Sequence, residues 1–325
     1  MDRLKITTVD NNLQQQAPAT GKSARRQEIQ ATMERLWLND PEQFNPERDA
    51  VQRKRTANTI EAITKHVALT GKRCADLGCG SGKISGLLRD GGAQVDAVDI
   101  ASQALNILKT KSMHNITAIQ DCLPMTRLED GAYDLVVCTE TIGYLNPKEY
   151  RLLFAELSRL MHKESHAVCS TSLDLNSDNA LERFAALAET EFEIDQWVLR
   201  YDLLWTKCCR FLEMPSRFIK ASQDMFERNR ELEKRKSLGK VLFRLNSSLS
   251  AVLFWKVINL AFKPLATRLR ESSFFTDLLE KTTKFLFDES GISHALFIGK
   301  RRPMVFPLPQ NEIPIEMKHK KQVWE

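Results

Sequence analysis

The chain has no run of about 18 or more apolar residues, so no membrane-spanning helix is expected. Its opening stretch, MDRLKITTVDNNLQQQAPATGKSARR, lacks the apolar segment of a secretory signal. Seven cysteines are present (Cys74, Cys79, Cys122, Cys138, Cys169, Cys208 and Cys209), and no two have the C-x-x-C spacing of a zinc or redox site. Most lie inside apolar runs, so they read as small core residues in a reducing compartment. No Walker loop and no Ser-His-Asp order can be argued, and no metal site is read from spacing. The formal net charge of +5 is too mild to argue for nucleic acid by itself. No internal repeat is visible.

What is present is a long alternation of strands and helices. Residues 1–25 are polar and aperiodic and read as a flexible tail. Residues 26–69 read as two helices joined at Asn39-Asp40-Pro41, the second with Ile60, Ile63 and Val67 at helical spacing. Strands are expected over Cys74–Leu77, Gln94–Ile100, Ile116–Gln120, Tyr133–Thr139, His166–Leu173, Phe192–Tyr201 and Ile292–Gly299. Helices are expected over Lys83–Arg89, Ser102–Lys111, the stretch opened by Asn146-Pro147, and Ala180–Glu189. The Leu-Val-Val run of the fourth strand is nearly all apolar, as in parallel sheets covered on both faces. Repeated βα units imply right-handed crossovers and a Rossmann-like, doubly wound, seven-stranded α/β sheet. Residues 203–290 break the pattern: they are mostly helical and stand before the last strand. Lys300-Arg301-Arg302 and a proline-punctuated tail over 303–325 close the chain.

The chemistry sits after the first strand, in Asp76-Leu77-Gly78-Cys79-Gly80-Ser81-Gly82. Glycine there accepts a positive φ in a tight turn and lets a ligand approach the backbone. A G-x-G turn after a strand marks nucleotide-binding α/β folds broadly. Three neighbours narrow it. Lys83 stands where a dinucleotide fingerprint needs its third glycine. Asp76 would repel a pyrophosphate but could accept from a cationic amino group. Asp99 ends the second strand about 20 residues on, where a carboxylate can accept from both ribose hydroxyls. Together they describe a nucleoside bearing a cationic amino acid.

The run resembles the first motif of class I S-adenosylmethionine (SAM)-dependent methyltransferases, D/E-x-G-x-G-x-G, and the likeness is to the small-molecule, quinone-type members. The resemblance spans about 70–202 plus the strand near 292–299. It implies SAM as cofactor, with Asp76, Gly78 and Gly80 at its amino-acid part, Cys79 also binding the cofactor, Asp99 at the ribose and Ile100 on the adenine. Asp121 would accept from the adenine amino group and Cys122 would lend its backbone N–H. Thr139, ending the fourth strand, would line the methionine arm. Gly143-Tyr144 replaces the family's histidine region, so no catalytic residue is named; Glu140, Tyr144 and Asp174 are candidates near the strand ends. His162 and His166 flank the start of the fifth strand, at the wrong end of the sheet, and read as structural or solvated. Arg55 could reach the SAM carboxylate, but a solvated helix face is the plainer reading.

The resulting division is 1–25 tail, 26–69 helices over the cofactor site, 70–202 SAM-binding core, 203–290 helical lid, 291–302 final strand and 303–325 tail. The lid would stand over the C-terminal edge of the sheet, where substrates bind. Its segment 241–270 has basic residues around an apolar, Trp255-bearing stretch. That pattern suits a buried cover, or a helix lying on the inner face of a membrane. The expected activity is methyl transfer to a small, hydrophobic or amphipathic acceptor, such as a quinone or lipid-like molecule, by a cytoplasmic enzyme. Nucleic acid is not an expected partner. The alternatives are a protein or nucleic-acid methyltransferase, a SAM-binding protein without catalysis, and a nicotinamide-dependent oxidoreductase. No N-P-P-Y-like run follows the fourth strand, and Asp76 and Lys83 disfavour the dinucleotide.

Overall fold

A computed structural model describes residues 21–173, 179–223 and 249–302. Seven strands form one sheet in the order β3-β2-β1-β4-β5-β7-β6. They are β1 (Arg73–Leu77), β2 (Gln94–Asp99), β3 (Ile116–Gln120), β4 (Tyr133–Thr139), β5 (Met161–Ser172), β6 (Phe192–Arg200) and β7 (His294–Arg301). The pairs β1–β2, β1–β4, β2–β3 and β4–β5 are parallel, whereas β7 runs antiparallel between β5 and β6. The order reverses between β1 and β4, so the crevice beyond their C-terminal ends is where such a sheet binds ligands. Because β7 is antiparallel, it is its first residue, His294, that lies on that same rim.

Both faces of the sheet are covered, which is why β1 and β4 are apolar almost throughout. On one face α5 (Tyr150–Leu160) and α6 (Ala180–Glu191) close over Phe154, Phe184, Phe192 and Phe297. On the other, α2 (Ala50–His66) and α3 (Lys83–Asp90) cover Ile63, Leu88, Leu135, Val137, Leu296 and Ile298. The remaining crossover helix is α4 (Ser102–Thr110), and α1 (Gly21–Asn39) packs on it through Trp37, Ala101 and Ala104. Asn146 caps a short turn before α5 through a capping box with Glu149.

Two boundaries differ most from expectation. Residues 21–25, assigned to the tail, begin α1. Strand β5 starts at Met161 rather than His166, because Met161 pairs with Tyr133 across a register shift in β4. Residues 1–20, 174–178 (with Asp174), 224–248 and 303–325 lie outside the described residues, as do the readings made of them.

One buried ionic group fixes α5 to the loop after β3. Glu156 is fully buried. Its carboxylate accepts from the backbone and hydroxyl of Thr126 at 2.7 and 2.6 Å and from Arg159 Nη2 at 2.7 Å and Nε at 2.8 Å. Without Glu156 the Thr126 N–H and hydroxyl lose their acceptor, while Arg159 keeps Asp130 and two backbone carbonyls. Glu156→Ala is therefore expected to lower unfolding free energy by about 1–3 kcal/mol, read from chemical denaturation; a loss below about 0.5 kcal/mol would show that the group is dispensable.

Among the described residues, four further helices follow β6: α7 (Leu203–Leu212), α8 (Met214–Gln223), α9 (Leu249–Glu271) and α10 (Ser273–Phe287). Trp205, Cys209 and Leu269 pack with Val51 of α2, and Trp255 of α9 stacks on Phe218 of α8 with ring centroids 4.9 Å apart. Helix α9 divides along its length. Ala266 and Leu269 are buried, whereas Leu253, Phe254, Val257 and Leu260 face outward. Among the described residues, no helix is long and apolar enough to cross a membrane.

Candidate active site

The turn after β1 has the backbone that its glycines were expected to permit. Gly78, Gly80 and Gly82 have φ of 76°, 53° and 79°. Their surroundings differ. A Cβ on Gly78 would stand 2.2 Å from Thr141 Oγ1, and one on Gly82 would stand 2.3 Å from a Leu108 methyl carbon. Gly82 thus serves the packing of α4 against the turn. Gly78 and Gly80 stay partly open, and Gly80 has only the Trp37 ring beside it.

Three carboxylates surround this turn. Asp99 is spread across it, accepting from the Gly80 N–H at 2.9 Å and the Ala101 N–H at 2.8 Å. Burial pushes its pKa up against those two hydrogen bonds. Asp76 lies below the turn, almost wholly buried, and accepts from the Ser85 hydroxyl at 2.6 Å. Burial raises its pKa to about 6, with Asp99 adding to the rise and Ser85 opposing it. Asp121 accepts from the Cys122 N–H at 2.8 Å and from the Arg127 N–H at 2.8 Å. In this state Cys122 therefore spends its N–H on Asp121. Ile100 is half-buried beside Asp99, and its carbonyl accepts from Gln120 at 3.1 Å.

On the other side of the crevice β4 ends at Thr139, followed by Glu140 with φ 57°. A non-glycine residue in the left-handed region is uncommon, and such strain gathers at functional sites. It turns the Glu140 side chain across the ends of β5 and β7. There Glu140 accepts from Ser170 and Ser172 hydroxyls, both at 3.1 Å, and meets His294 Nε2 in a short contact. Arg55 of α2 reaches Glu140 at 3.5 Å and Asp202 at 3.2 Å. Asp202 is paired in turn with Arg200 at 2.8 Å, both side chains being buried. Lys54 joins α10 through Asp277 at 2.5 Å and Glu280 at 2.9 Å. Burial alone would raise the Glu140 pKa; His294 and Arg55 outweigh it and hold it at about 2. The carboxylate is still half-exposed, and Tyr144 stands exposed near it.

This network revises the reading of Arg55. It is not a solvated side chain: α2 docks its first half over the rim, leaving only 13 % of the side chain exposed. It also adds a residue that the sequence did not single out. His294 begins a strand that looks like an ordinary core strand, and only the antiparallel return of β7 brings it to Glu140. His294 Nδ1 is buried without a partner among the described residues. Because a carboxylate can only accept, Nε2 carries the proton towards Glu140 in the neutral ring and Nδ1 holds the lone pair.

Residues 74–164 match the family model described as a methyltransferase domain. Among known proteins, a ubiquinone biosynthesis O-methyltransferase of Burkholderia thailandensis is 32% identical over 113 residues, 34% of this chain and 47% of the relative. One of Burkholderia vietnamiensis is 33% identical over 87 residues, 26% of this chain and 38% of the relative. The chain thus spans about half or less of the length of the curated relatives it matches. A solved SAM-dependent methyltransferase of Mesorhizobium loti is 19% identical, with a TM-score of 0.37 over 42% of this chain and 82% of the other. The matched segment contains the open glycine turn, Asp99 and Glu140 on one sheet rim, so residues 74–164 of this seven-stranded, Rossmann-like sheet are similar to a methyltransferase domain.

Proposed function

We propose that the protein transfers a methyl group from SAM to a hydroxyl of a small, apolar acceptor. The observation that carries this reading is that the turn with Asp99 and the Glu140–His294 pair share the rim where β1 and β4 diverge. The open turn and the paired acceptors of Asp99 suit a nucleoside with a cationic amino acid. Asp76, Gly78, Cys79, Gly80, Asp99, Ile100, Asp121, Cys122 and Thr139 would hold SAM. When bound, SAM supplies a methyl group already activated on sulfur, so positioning provides much of the acceleration.

The acceptor oxygen must lose its proton as its bond to carbon forms, and here the chain has work to do. Glu140 is ionised and half-exposed, so it can accept a hydrogen bond from a hydroxyl and aim the oxygen. Arg55, Ser170, Ser172 and His294 fix its orientation. The proton released with the methyl ether leaves to water, and Glu140 orients the hydroxyl without storing that proton. The names of the Burkholderia relatives favour a quinone-like, phenolic acceptor. Helices α7–α10 would serve as the cover, and the outward apolar residues on α9 and α10 would offer contact to a greasy molecule or to the surface that supplies it.

Titration calorimetry with SAM and with NAD, followed by transfer of labelled methyl to a phenol and to an amine of the same skeleton, tests this reading. Heat with SAM alone and label in the phenol are expected. Absence of SAM binding ends the methyltransferase reading, and label in the amine alone ends the hydroxyl reading.

A further inference from the structure

A second cluster lies about 20 Å back along β5, six residues from Ser172 at about 3.3 Å per residue. There His66, His166 and Asp195 each present a ligand atom, and these atoms lie within 4.8 Å of one another. His66 is in the last turn of α2, His166 is on β5 and Asp195 is on β6. His66 Nε2 is 3.1 Å from Gln196 Oε1, and His166 Nε2 is 3.5 Å from Asp195 Oδ2.

The backbone is shaped to make this group. Strand β6 pairs with β7 through Ile194↔Gly299 and then Gln196↔Ile298, so Asp195 is an extra residue in a bulge. Ile194, Trp197 and Leu199 pack on the α5–α6 side, while Val198 packs on the α2 side. A regular strand would alternate throughout. The bulge instead puts Asp195 and Gln196, adjacent in sequence, on the side of the two histidines. Bulges commonly re-aim a side chain in this way.

We infer that His66, His166 and Asp195, with Gln196 or water as fourth donor, form a binding site for a zinc ion. Two imidazoles and one carboxylate are a common zinc donor set, and the ion takes them at about 2.0–2.2 Å in a tetrahedron. That geometry puts donors about 3.4 Å apart, so side-chain rotation has to close each pair by little more than an ångström. His66 is at a helix C-terminus, where the backbone dipole favours a cation. Lys300, across from His166 on β7, opposes the ion, and Asp195 and Glu164 offset it. Asp195 is exposed, so an ion can enter from solvent. The bound metal would pin the end of α2 opposite to Arg55.

Metal-stripped, full-length protein titrated with Zn²⁺ by calorimetry tests the site, with SAM binding as the measure of folding. One ion per chain and a raised Tm are expected for the wild type. His166→Ala, His66→Ala and Asp195→Asn should each weaken Zn²⁺ at least tenfold while leaving SAM binding unchanged. Because Asp195 is exposed, Asp195→Asn decides the matter if a histidine variant misfolds. Failure of the wild type to bind Zn²⁺, or binding unchanged in Asp195→Asn and in whichever histidine variants fold, as capture by the thiols would give, overturns the assignment. The SAM readout stands apart from the zinc readout, so the proposed function and this site can fail separately.

Discussion

Replacing Asp99 with alanine is expected to weaken SAM binding at least about a hundredfold, with little loss of fold stability. A carboxylate accepting from both ribose hydroxyls makes two charge-assisted hydrogen bonds, each worth about 1.5–3 kcal/mol. Their joint loss is about two decades or more in affinity. The small stability cost follows from the sign of its pKa shift. Burial raises the folded-state pKa of Asp99 above its ordinary value. An elevated carboxylate pKa means that the ionised group works against folding above that pKa, a penalty relieved as pH falls. Alanine removes this penalty along with the hydrogen bonds to Gly80 and Ala101, and the two partly cancel. Calorimetry with SAM beside a urea melt separates the outcomes. If affinity falls only in step with stability, Asp99 merely braces the glycine turn, and the ribose role is lost.

Much of this side of the site could be read in the sequence, because its determinants are local. Gly78, Gly80 and Asp76 fall within seven residues, and the positive φ angles seen there are what glycine supplies. Strand β4 was expected over the residues it occupies, since a strand buried on both faces is written as an apolar run. The acceptor side could not be read in the same way. Glu140 and His294 are 154 residues apart. They meet because β7 turns back antiparallel between β5 and β6, and strand order leaves no local pattern. The early start of β5 was hidden for a related reason: Lys163 and Glu164 interrupt its apolar run, yet pairing with β4 carries the strand through them. The helical turn at 21–25 carries Lys22 and Arg25 and no apolar stripe, so nothing in its period distinguishes it from a tail. The bulge at Asp195 sits within a strand whose limits were nearly right, and a one-residue slip of register is invisible to any reading of periodicity.

Glu140→Gln should separate the two halves of the reaction: turnover should fall by about 10–10² while SAM affinity stays within about threefold, the size of a charge-assisted hydrogen bond lost from the acceptor hydroxyl. Glutamine keeps the length of the side chain; its one carbonyl oxygen can still accept from Ser170 while its NH2 donates to the Ser172 hydroxyl, and Arg55 retains Asp202 as its partner. What it lacks is the charge that draws a hydroxyl proton. The pH profile adds a second discriminator. His294 and Arg55 hold the Glu140 pKa at about 2, below its ordinary value of 4.5. The stabilisation this reflects is complete above the ordinary carboxylate pKa and is lost only as pH falls towards 2. Glu140 is therefore ionised across any working range, and the deficit of Glu140→Gln should be the same at pH 6 and pH 9. His294→Asn removes the ring whose Nε2 faces Glu140, and should lower kcat as well without moving SAM affinity. A Glu140→Gln enzyme with wild-type turnover would take the acceptor hydroxyl away from this pair. Equal losses in SAM affinity and turnover would make the network a brace for α2 alone.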